Sequence, residues 1–196
     1  MKYDDYPWRI FVNLNVPYLI QKELSGVQNL IPKMFRHLFK WVDSSLIHCT
    51  LVFLGDCKED KILTIKKTIE DLEIKQEMQV SLGEFEFFPR KNHPKVFVVK
   101  LNDDNNLISR LYEEIYLKLV KNEFELRDNY VPHITIARIG HKISRKEIKS
   151  FIPILKGIEY PREIPFQISK ISVIRSILKS EGPEYKILTQ NSMTKL

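Results

Sequence analysis

The stretch "IHCTLVFLG", residues 47–55, places a histidine and a threonine two positions apart inside an apolar run that ends on a glycine. One such pattern carries little information, because a lone histidine in an apolar strand is usually a structural residue. The stretch "PHITIARIG", residues 132–140, repeats the pattern in the other half of the chain. The aligned pairs are His48 with His133, Thr50 with Thr135, and Gly55 with Gly140. This repetition indicates a duplicated unit, with one copy of the motif in each half.

Each motif has the spacing that a strand needs to place both polar side chains on one face. Residues i and i+2 of a strand point to the same side, so each imidazole is expected beside its own threonine hydroxyl. The residues between them, such as Cys49 and Ile134, then point into a core. If the two halves pack face to face, both pairs line one cleft. Two imidazoles suit general acid and base catalysis near neutral pH, and hydroxyl donors suit phosphate oxygens.

Two other kinds of catalytic site find no support in the sequence. No carboxylate is adjacent to either histidine, so an esterase triad is not visible. No third histidine, cysteine or acid lies at a metal-ligand spacing, and the two cysteines, Cys49 and Cys57, do not form a metal pattern. The sequence therefore predicts a site that does not use a metal ion.

The rest of the chain alternates between strand-like and helix-like patterns with short connections. Strands are predicted at 8–16, 45–55, 78–88, 95–102, 130–140, 166–178 and 185–190, and helices at 17–39 with a break near Pro32, 58–74, 106–120 and 144–152. Intermixed strands and helices of this kind favour an α+β fold with antiparallel sheets. The 196 residues suffice for one domain or for two small lobes that share a core.

Composition limits the partners and the location. The formal net charge of +6 favours anionic partners, although the lysines are spread over the whole chain. No apolar stretch approaches the roughly 20 residues of a membrane span, and the first residues do not resemble a secretory signal. With two cysteines and no disulfide framework, the sequence predicts a reduced protein of the cytoplasm that does not enter a membrane.

The two His-x-Thr motifs resemble those of the two-histidine (2H) phosphoesterase superfamily. More closely, the chain is similar to the RNA 2′,3′-cyclic phosphodiesterases once named 2′-5′ RNA ligases. The segments that carry this resemblance are "WRIFVNLNVP" (8–17), "WVDSSLIHCTLVFLGD" (41–56), "GEFEFFPRKNHPKVFVV" (83–99), "YVPHITIARI" (130–139) and "ISVIRSILKSEGPEYKIL" (171–188). The resemblance implies one bilobal α+β domain over residues 1–196. Its two antiparallel β-sheets, flanked by helices, would be related by a pseudo-twofold axis around a central cleft.

The resemblance also implies an activity and a set of site residues. The reaction would be hydrolysis of a terminal 2′,3′-cyclic phosphate of RNA, or of a cyclic nucleotide, to a 2′-phosphate, without a metal or another cofactor. His48 would be the general acid and His133 the general base, and both threonines, Thr50 and Thr135, would hold the phosphate. Arg138 would also bind the phosphate. Phe53, its counterpart in the first motif, would stack on a base.

Phe53 and Arg138 are an odd number of residues from their histidines, so strict alternation would place them on the opposite face. The expectation is that each strand twists or bulges before its glycine, or that these side chains reach round its end. Packing of Phe53 into the core is an equally good interpretation. The remaining histidines, His37, His93 and His141, are expected at the surface or in loops.

Two other functions are compatible with the same residues. One is a 2′-5′ RNA ligase that runs the reaction in reverse, which would use an identical site. The other is a binding module for RNA or nucleotides that has no catalytic activity, although two intact His-Thr pairs argue against it. In each case the protein is expected to be a monomer.

Overall fold

The computed structural model describes residues 7–89, 94–126, 130–140, 143–155, 157–160 and 164–194. The strands are β1 (Trp8–Leu14), β2 (Phe39–Trp41), β3 (Cys49–Cys57), β4 (Met78–Phe88), β5 (Val96–Asn102), β6 (His133–Ile139), β7 (Phe166–Ile168), β8 (Lys170–Leu178) and β9 (Pro183–Ser192). The helices are α1 (Tyr18–Leu30), α2 (Glu59–Glu70), α3 (Leu107–Lys121) and α4 (Arg145–Leu155), with short 3₁₀ turns at Lys33–Leu38 and Ser44–Leu46. None of these helices combines the length and the apolar character that a membrane crossing requires.

Two predicted strands begin late or are divided in the structure, and one short strand was not expected from the sequence. The helical stretch is broken near Pro32 as predicted, and after a 3₁₀ turn residues 39–41 form the additional strand β2. The predicted strand 45–55 begins only at Cys49, because the side chain of Asp43 caps a 3₁₀ turn at Ser45. The predicted strand 166–178 is interrupted at Ser169, because β7 pairs with β4 whereas β8 pairs with β1.

The strands form an antiparallel sheet in the order β7-β4-β5-β6-β3-β1-β8-β9, with β2 also paired to β6. At its centre β3 and β6 pair only through Cys49 and Ile134, so the sheet consists of two halves that meet at a narrow seam. The two predicted sheets are these two halves.

The order of the strands is symmetric about the seam. β3 corresponds to β6, β1 to β5, and β8 to β4. β4 follows α2 in the chain but lies beside β5, and β8 follows α4 but lies beside β1. Each repeat therefore contributes a strand to the other half of the sheet.

The main core lies between the helices and one face of the sheet. Ile10, Val12 and Leu14 of β1 point into it, together with the apolar faces of α2 and α3. Because side chains alternate along a strand, Arg9, Phe11 and Asn13 point to the other face. That other face contains the candidate site.

Candidate active site at the seam between the two halves

The seam brings the two His-x-Thr motifs together. His48 directly precedes β3 and His133 is the first residue of β6. Because Cys49 is paired with Ile134, the two motifs run antiparallel beside each other. Cys49 and Ile134 are fully buried, whereas His48 and His133 are partly accessible from the opposite face. The structure thus places both histidines on one side of the sheet, 85 residues apart in sequence.

Both imidazoles are held in the same way by the backbone. The Nδ1 atom of His48 lies 2.7 Å from the carbonyl oxygen of Leu46, and that of His133 lies 2.7 Å from the carbonyl oxygen of Val131. A carbonyl only accepts, so Nδ1–H is the donor in each ring. The neutral ring then has its lone pair on Nε2. In both histidines Nε2 is the atom that can take up or deliver a proton.

The two histidines differ in their contact with threonine. The Nε2 atom of His48 lies 2.9 Å from Oγ1 of Thr50, which is the neighbour that the His-x-Thr spacing predicts. Within the part of the chain that the structure describes, no corresponding hydrogen bond joins His133 to Thr135. Thr135 is nevertheless two residues along β6 from His133. His133 pairs with Lys100 of β5 and Thr135 pairs with Val98, so strand alternation places both side chains on the same face.

Aromatic rings cover both imidazoles. The ring of His48 is stacked on Phe11 at a centroid distance of 4.9 Å, and Tyr185 of β9 meets it edge-on at 5.5 Å. His133 has an edge contact with Phe88 of β4, with 4.9 Å between the centroids. These contacts restrict the orientation of each ring and bury part of its surface.

Burial lowers the pKa of both histidines below the ordinary value. For His48 the loss of solvation is the largest cause; the hydrogen bond to Leu46 opposes it, and repulsion by a protonated His133 lowers the pKa further. For His133 burial is again the main cause, opposed by the hydrogen bond to Val131. Since each positive charge disfavours the other, the pair tends to hold at most one proton. One acid and one base is the protonation state that concerted proton transfer requires.

A bulge in each strand brings Phe53 and Arg138 to the same face as the threonines. Thr50 of β3 pairs with Asn13 of β1, and Val52 pairs with the adjacent Val12, so Leu51 is the extra residue of a β-bulge in β3. After such a bulge the alternation shifts by one residue. Phe53, which is level with Phe11, therefore points to the site face, where its side chain is 53% exposed. This exposure contradicts the interpretation of Phe53 as a core residue.

The second motif has the same irregularity. Thr135 is level with Val98 and Ala137 is level with Phe97, so Ile136 is the extra residue of β6. Arg138 is consequently exposed on the site face. The structure thus contains the bulge that the predicted placement of Phe53 and Arg138 requires, at the equivalent position in both repeats.

Sequence reasoning missed four residues of this face: Arg9, Phe11, Phe88 and Tyr185. The alternation of β1 could have identified Arg9 and Phe11, because the apolar residues Ile10 and Val12 mark the opposite face. No local signal points to Tyr185, which reaches the site only through the pairing of β9 with β8. Of the other histidines, His37 is exposed and contacts Glu147 at 3.1 Å, while His93 and His141 lie outside the described residues.

The described residues contain no group of three or more His, Cys, Asp or Glu side chains placed to share a metal ion. The groups that the site offers for chemistry are instead two imidazoles, two threonine hydroxyls and a guanidinium. Such groups can transfer protons and bind an anion.

A family model described as LigT-like phosphoesterase matches residues 14–98 and, a second time, residues 99–185. The chain belongs to this family. The two matched regions divide the chain between the repeats, with one His-x-Thr motif in each. The prediction that this protein is a two-histidine phosphoesterase, and therefore an enzyme that acts on phosphate esters, is confirmed.

The sequence similarity between this LigT-like chain and its relatives extends over most of its length. It is 29% identical to an RNA 2′,3′-cyclic phosphodiesterase of Methanocaldococcus jannaschii, a match that covers 93% of this chain and 99% of the relative. It is 28% identical to a protein of the same name from Thermotoga maritima, with 92% of each chain covered.

Solved structures show the same fold. A protein of Thermus thermophilus superposes with a TM-score of 0.75 at 21% identity, covering 95% of this chain and 98% of that one. LigT of E. coli in complex with 3′-AMP superposes with a TM-score of 0.73 at 14% identity, covering 96% and 99%. The predicted α+β fold with two repeated halves is therefore confirmed.

Proposed function

We propose that this protein hydrolyses the terminal 2′,3′-cyclic phosphate of RNA to a 2′-phosphate, with His48 as general acid and His133 as general base. The observation that carries the proposal is the matched pair of imidazoles at the seam, each held through Nδ1 so that Nε2 is the reactive nitrogen. The relatives named RNA 2′,3′-cyclic phosphodiesterase support the choice of substrate.

The reaction needs one proton removed and one delivered. Nε2 of neutral His133 takes a proton from water as the water oxygen attacks phosphorus. The bond between phosphorus and the 3′ oxygen breaks, and Nε2–H of protonated His48 supplies the proton to that oxygen. The hydroxyls of Thr50 and Thr135 donate hydrogen bonds to the non-bridging phosphate oxygens, and the guanidinium of Arg138 offsets their negative charge. His133 ends protonated and His48 neutral, so proton exchange with solvent restores the starting state.

Turnover requires neither metal nor cofactor in this scheme, because imidazoles do both proton transfers. Both half-sites come from one chain, so a second copy is not needed to complete the site. We therefore also propose that the enzyme works as a monomer, and that it acts on RNA ends in the cytoplasm.

The test is incubation with an oligonucleotide that ends in a 2′,3′-cyclic phosphate, in buffer containing EDTA, with separation of the products. Conversion to a 2′-phosphate in EDTA supports the proposal, and loss of activity that zinc or magnesium restores would contradict metal independence. A second oligonucleotide with a 5′-hydroxyl end detects ligation as a longer product. Tight binding without conversion of either would instead favour the non-catalytic module.

A further inference from the structure

Arg9 lies on the site face but away from the reacting groups. Its guanidinium carbon is 5.0 Å from the ring centroid of Phe53, the exposed aromatic residue of the site face. Asp56 is level with Arg9 on β3, yet within the described residues no salt bridge joins the two. The positive charge is directed over an exposed aromatic ring and remains available to an anion.

Tyr185 lies on the same side of the site as Arg9. Across β1, β8 and β9, Arg9 is level with Ser176, and Ser176 is level with Tyr185. Burial raises the pKa of the Tyr185 phenol, while the guanidiniums of Arg138 and Arg9 both act to lower it. The phenol therefore stays neutral at physiological pH and can donate a hydrogen bond. Both guanidiniums are thus close enough to influence this hydroxyl donor.

In the described parts of the chain, none of the salt bridges involves Arg9, Arg138 or Lys40. Lys40 of β2 is level with Arg138 of β6, so two like charges face each other across the strands. Like charges in this arrangement destabilise a sheet unless an anion lies between them. By contrast, Lys100, which pairs with His133, forms an ion pair with Glu86. Arg9 is thus a positive charge on the His48 side, separate from Arg138 and Lys40 on the His133 side.

Arg9 is too far along its strand to belong to the centre that holds the cyclic phosphate. Asn13 is level with Thr50, and Arg9 comes four residues earlier in β1. At about 3.3 Å per residue, the two positions are about 13 Å apart along the strand. A phosphate held by the threonines does not span that distance, whereas a nucleoside placed between the two positions does.

We infer that Arg9 and Tyr185 form a subsite for a second phosphate, the 5′-phosphate of the terminal nucleotide. This inference rests on the proposed function. A cyclic 2′,3′-phosphate is the end of its chain, so RNA can continue from it only in the 5′ direction. With the terminal base on Phe53, the next phosphate in that direction lies beside Arg9. The enzyme then favours a terminal nucleotide that carries a 5′-phosphate over a cyclic nucleoside phosphate that has none.

Three substrates separate the contribution of the 5′-phosphate from that of the cyclic phosphate. They are adenosine 2′,3′-cyclic phosphate, the same compound with a 5′-phosphate, and the dinucleotide ApA with a 2′,3′-cyclic phosphate end. We expect kcat/KM to be higher for the second and third by about tenfold or more, the scale of one hydrogen bond to a charged group. Arg9→Gln should remove most of this preference and change kcat/KM for the first substrate less than about twofold. Tyr185→Phe should reduce the preference in the same direction.

Lys22→Gln is the matched control. Lys22 lies 5.3 Å from the ring of Tyr18 on α1, a cation–aromatic contact of the same kind outside the site. It should leave the ratio between substrates unchanged. A wild-type enzyme that does not distinguish the first two substrates, or an Arg9→Gln variant that loses activity equally on all three, would overturn the subsite.

Binding keeps this test separate from the proposed function. Adenosine 2′-phosphate and adenosine 2′,5′-bisphosphate differ only in the 5′-phosphate, and calorimetry gives the dissociation constant of each. The subsite requires that the 5′-phosphate tighten binding to the wild type by about tenfold and that Arg9→Gln abolish this gain. If no cyclic phosphate is hydrolysed, the proposed function fails, while this binding difference still decides whether the subsite exists.

Discussion

Leu51 and Ile136 are equivalent residues, each the extra residue of a β-bulge that directly follows a threonine of the His-x-Thr motif. Both side chains are buried, and in both strands the next residue is buried as well. The residue after that returns to the face of the histidines. The duplicated bulge therefore adds one side chain to each half-site, and these two side chains, Phe53 and Arg138, differ. A site with matched histidines thereby acquires two chemically distinct ends.

The histidine pair gives the first prediction. His48→Ala and His133→Ala should each lower kcat by about 10²–10⁴, the usual scale for the loss of a general acid or base. The double variant should be little worse than either single variant, because the two residues act as one unit. Steady-state kinetics on a cyclic-phosphate oligonucleotide provide the measurement. Near-normal kcat in either single variant would show that the two-histidine mechanism is wrong.

The pH dependence of activity follows from the lowered pKa values of His48 and His133. The proposed mechanism requires one protonated and one neutral imidazole in the free enzyme, so kcat/KM should be bell-shaped with its maximum below about pH 6.5, the ordinary histidine value. In the pH profile of kcat, the alkaline limb should lie at higher pH than in the profile of kcat/KM, because the bound phosphate anion favours the imidazolium. A kcat/KM profile that is still rising above pH 7 would contradict the assigned direction of these pKa shifts.

The same shifts predict a loss of stability in mild acid. Below about pH 6.5 the unfolded chain protonates these histidines, whereas the folded protein keeps them neutral. The unfolded state then binds more protons, so the full stability is present above about pH 6.5 and declines as the pH falls towards the folded-state pKa values. The slope should not exceed about 1.4 kcal/mol per pH unit for each histidine.

Urea unfolding at pH 7.5 and 5.5 measures this decline as a change in the free energy of unfolding. The double variant His48→Asn/His133→Asn should show a weaker dependence on pH over this range, since the substituted amides do not titrate. An identical dependence in the wild type and the double variant would mean that other groups are responsible.

Local periodicity was enough to predict the central part of the site. His48 and Thr50 share a face because they are two residues apart in a strand, and the repeat at His133 and Thr135 supplied the second pair. The sequence indicated that a bulge or twist was needed to bring Phe53 to the site face, but it did not show that the bulge lies at Leu51. That position depends on the register between β3 and β1. The register of β9, which brings Tyr185 to His48, depends on strand pairing between segments that are distant in sequence.

The same limit applies to the fold. The alternation of apolar residues predicted continuous strand over 166–178, and both parts are indeed extended. The interruption at Ser169 arises because the chain passes from one half of the sheet to the other. Nothing in the local pattern distinguishes one long strand from two strands with different partners. Likewise, β2 gains its structure from its pairing with β6 and not from its own three residues.

The last prediction concerns which bond of the cyclic phosphate is broken. A pair of similar imidazoles could protonate either the 2′ or the 3′ oxygen, so the orientation of the nucleoside decides. Stacking of the base on Phe53 contributes about 1–3 kcal/mol in single-strand binders and places the ribose on the His48 side. The guanidinium of Arg138 should hold the phosphate for attack by water from the His133 side. The 3′ oxygen should then be the one beside His48, and we expect a 2′-phosphate as the product.

Two variants separate these contributions. Arg138→Ala should lower kcat, because the phosphate is no longer held in line with the water, whereas Phe53→Ala should mainly raise KM. Phosphorus NMR of the product identifies the bond that is cleaved. A 3′-phosphate as the main product of the wild type would reverse the orientation and exchange the roles of His48 and His133. If Phe53→Ala instead yields a mixture of 2′- and 3′-phosphate with kcat little changed, then the ring of Phe53 also selects the orientation of the nucleoside. Without this ring the nucleoside can bind in either orientation between two nearly equivalent imidazoles.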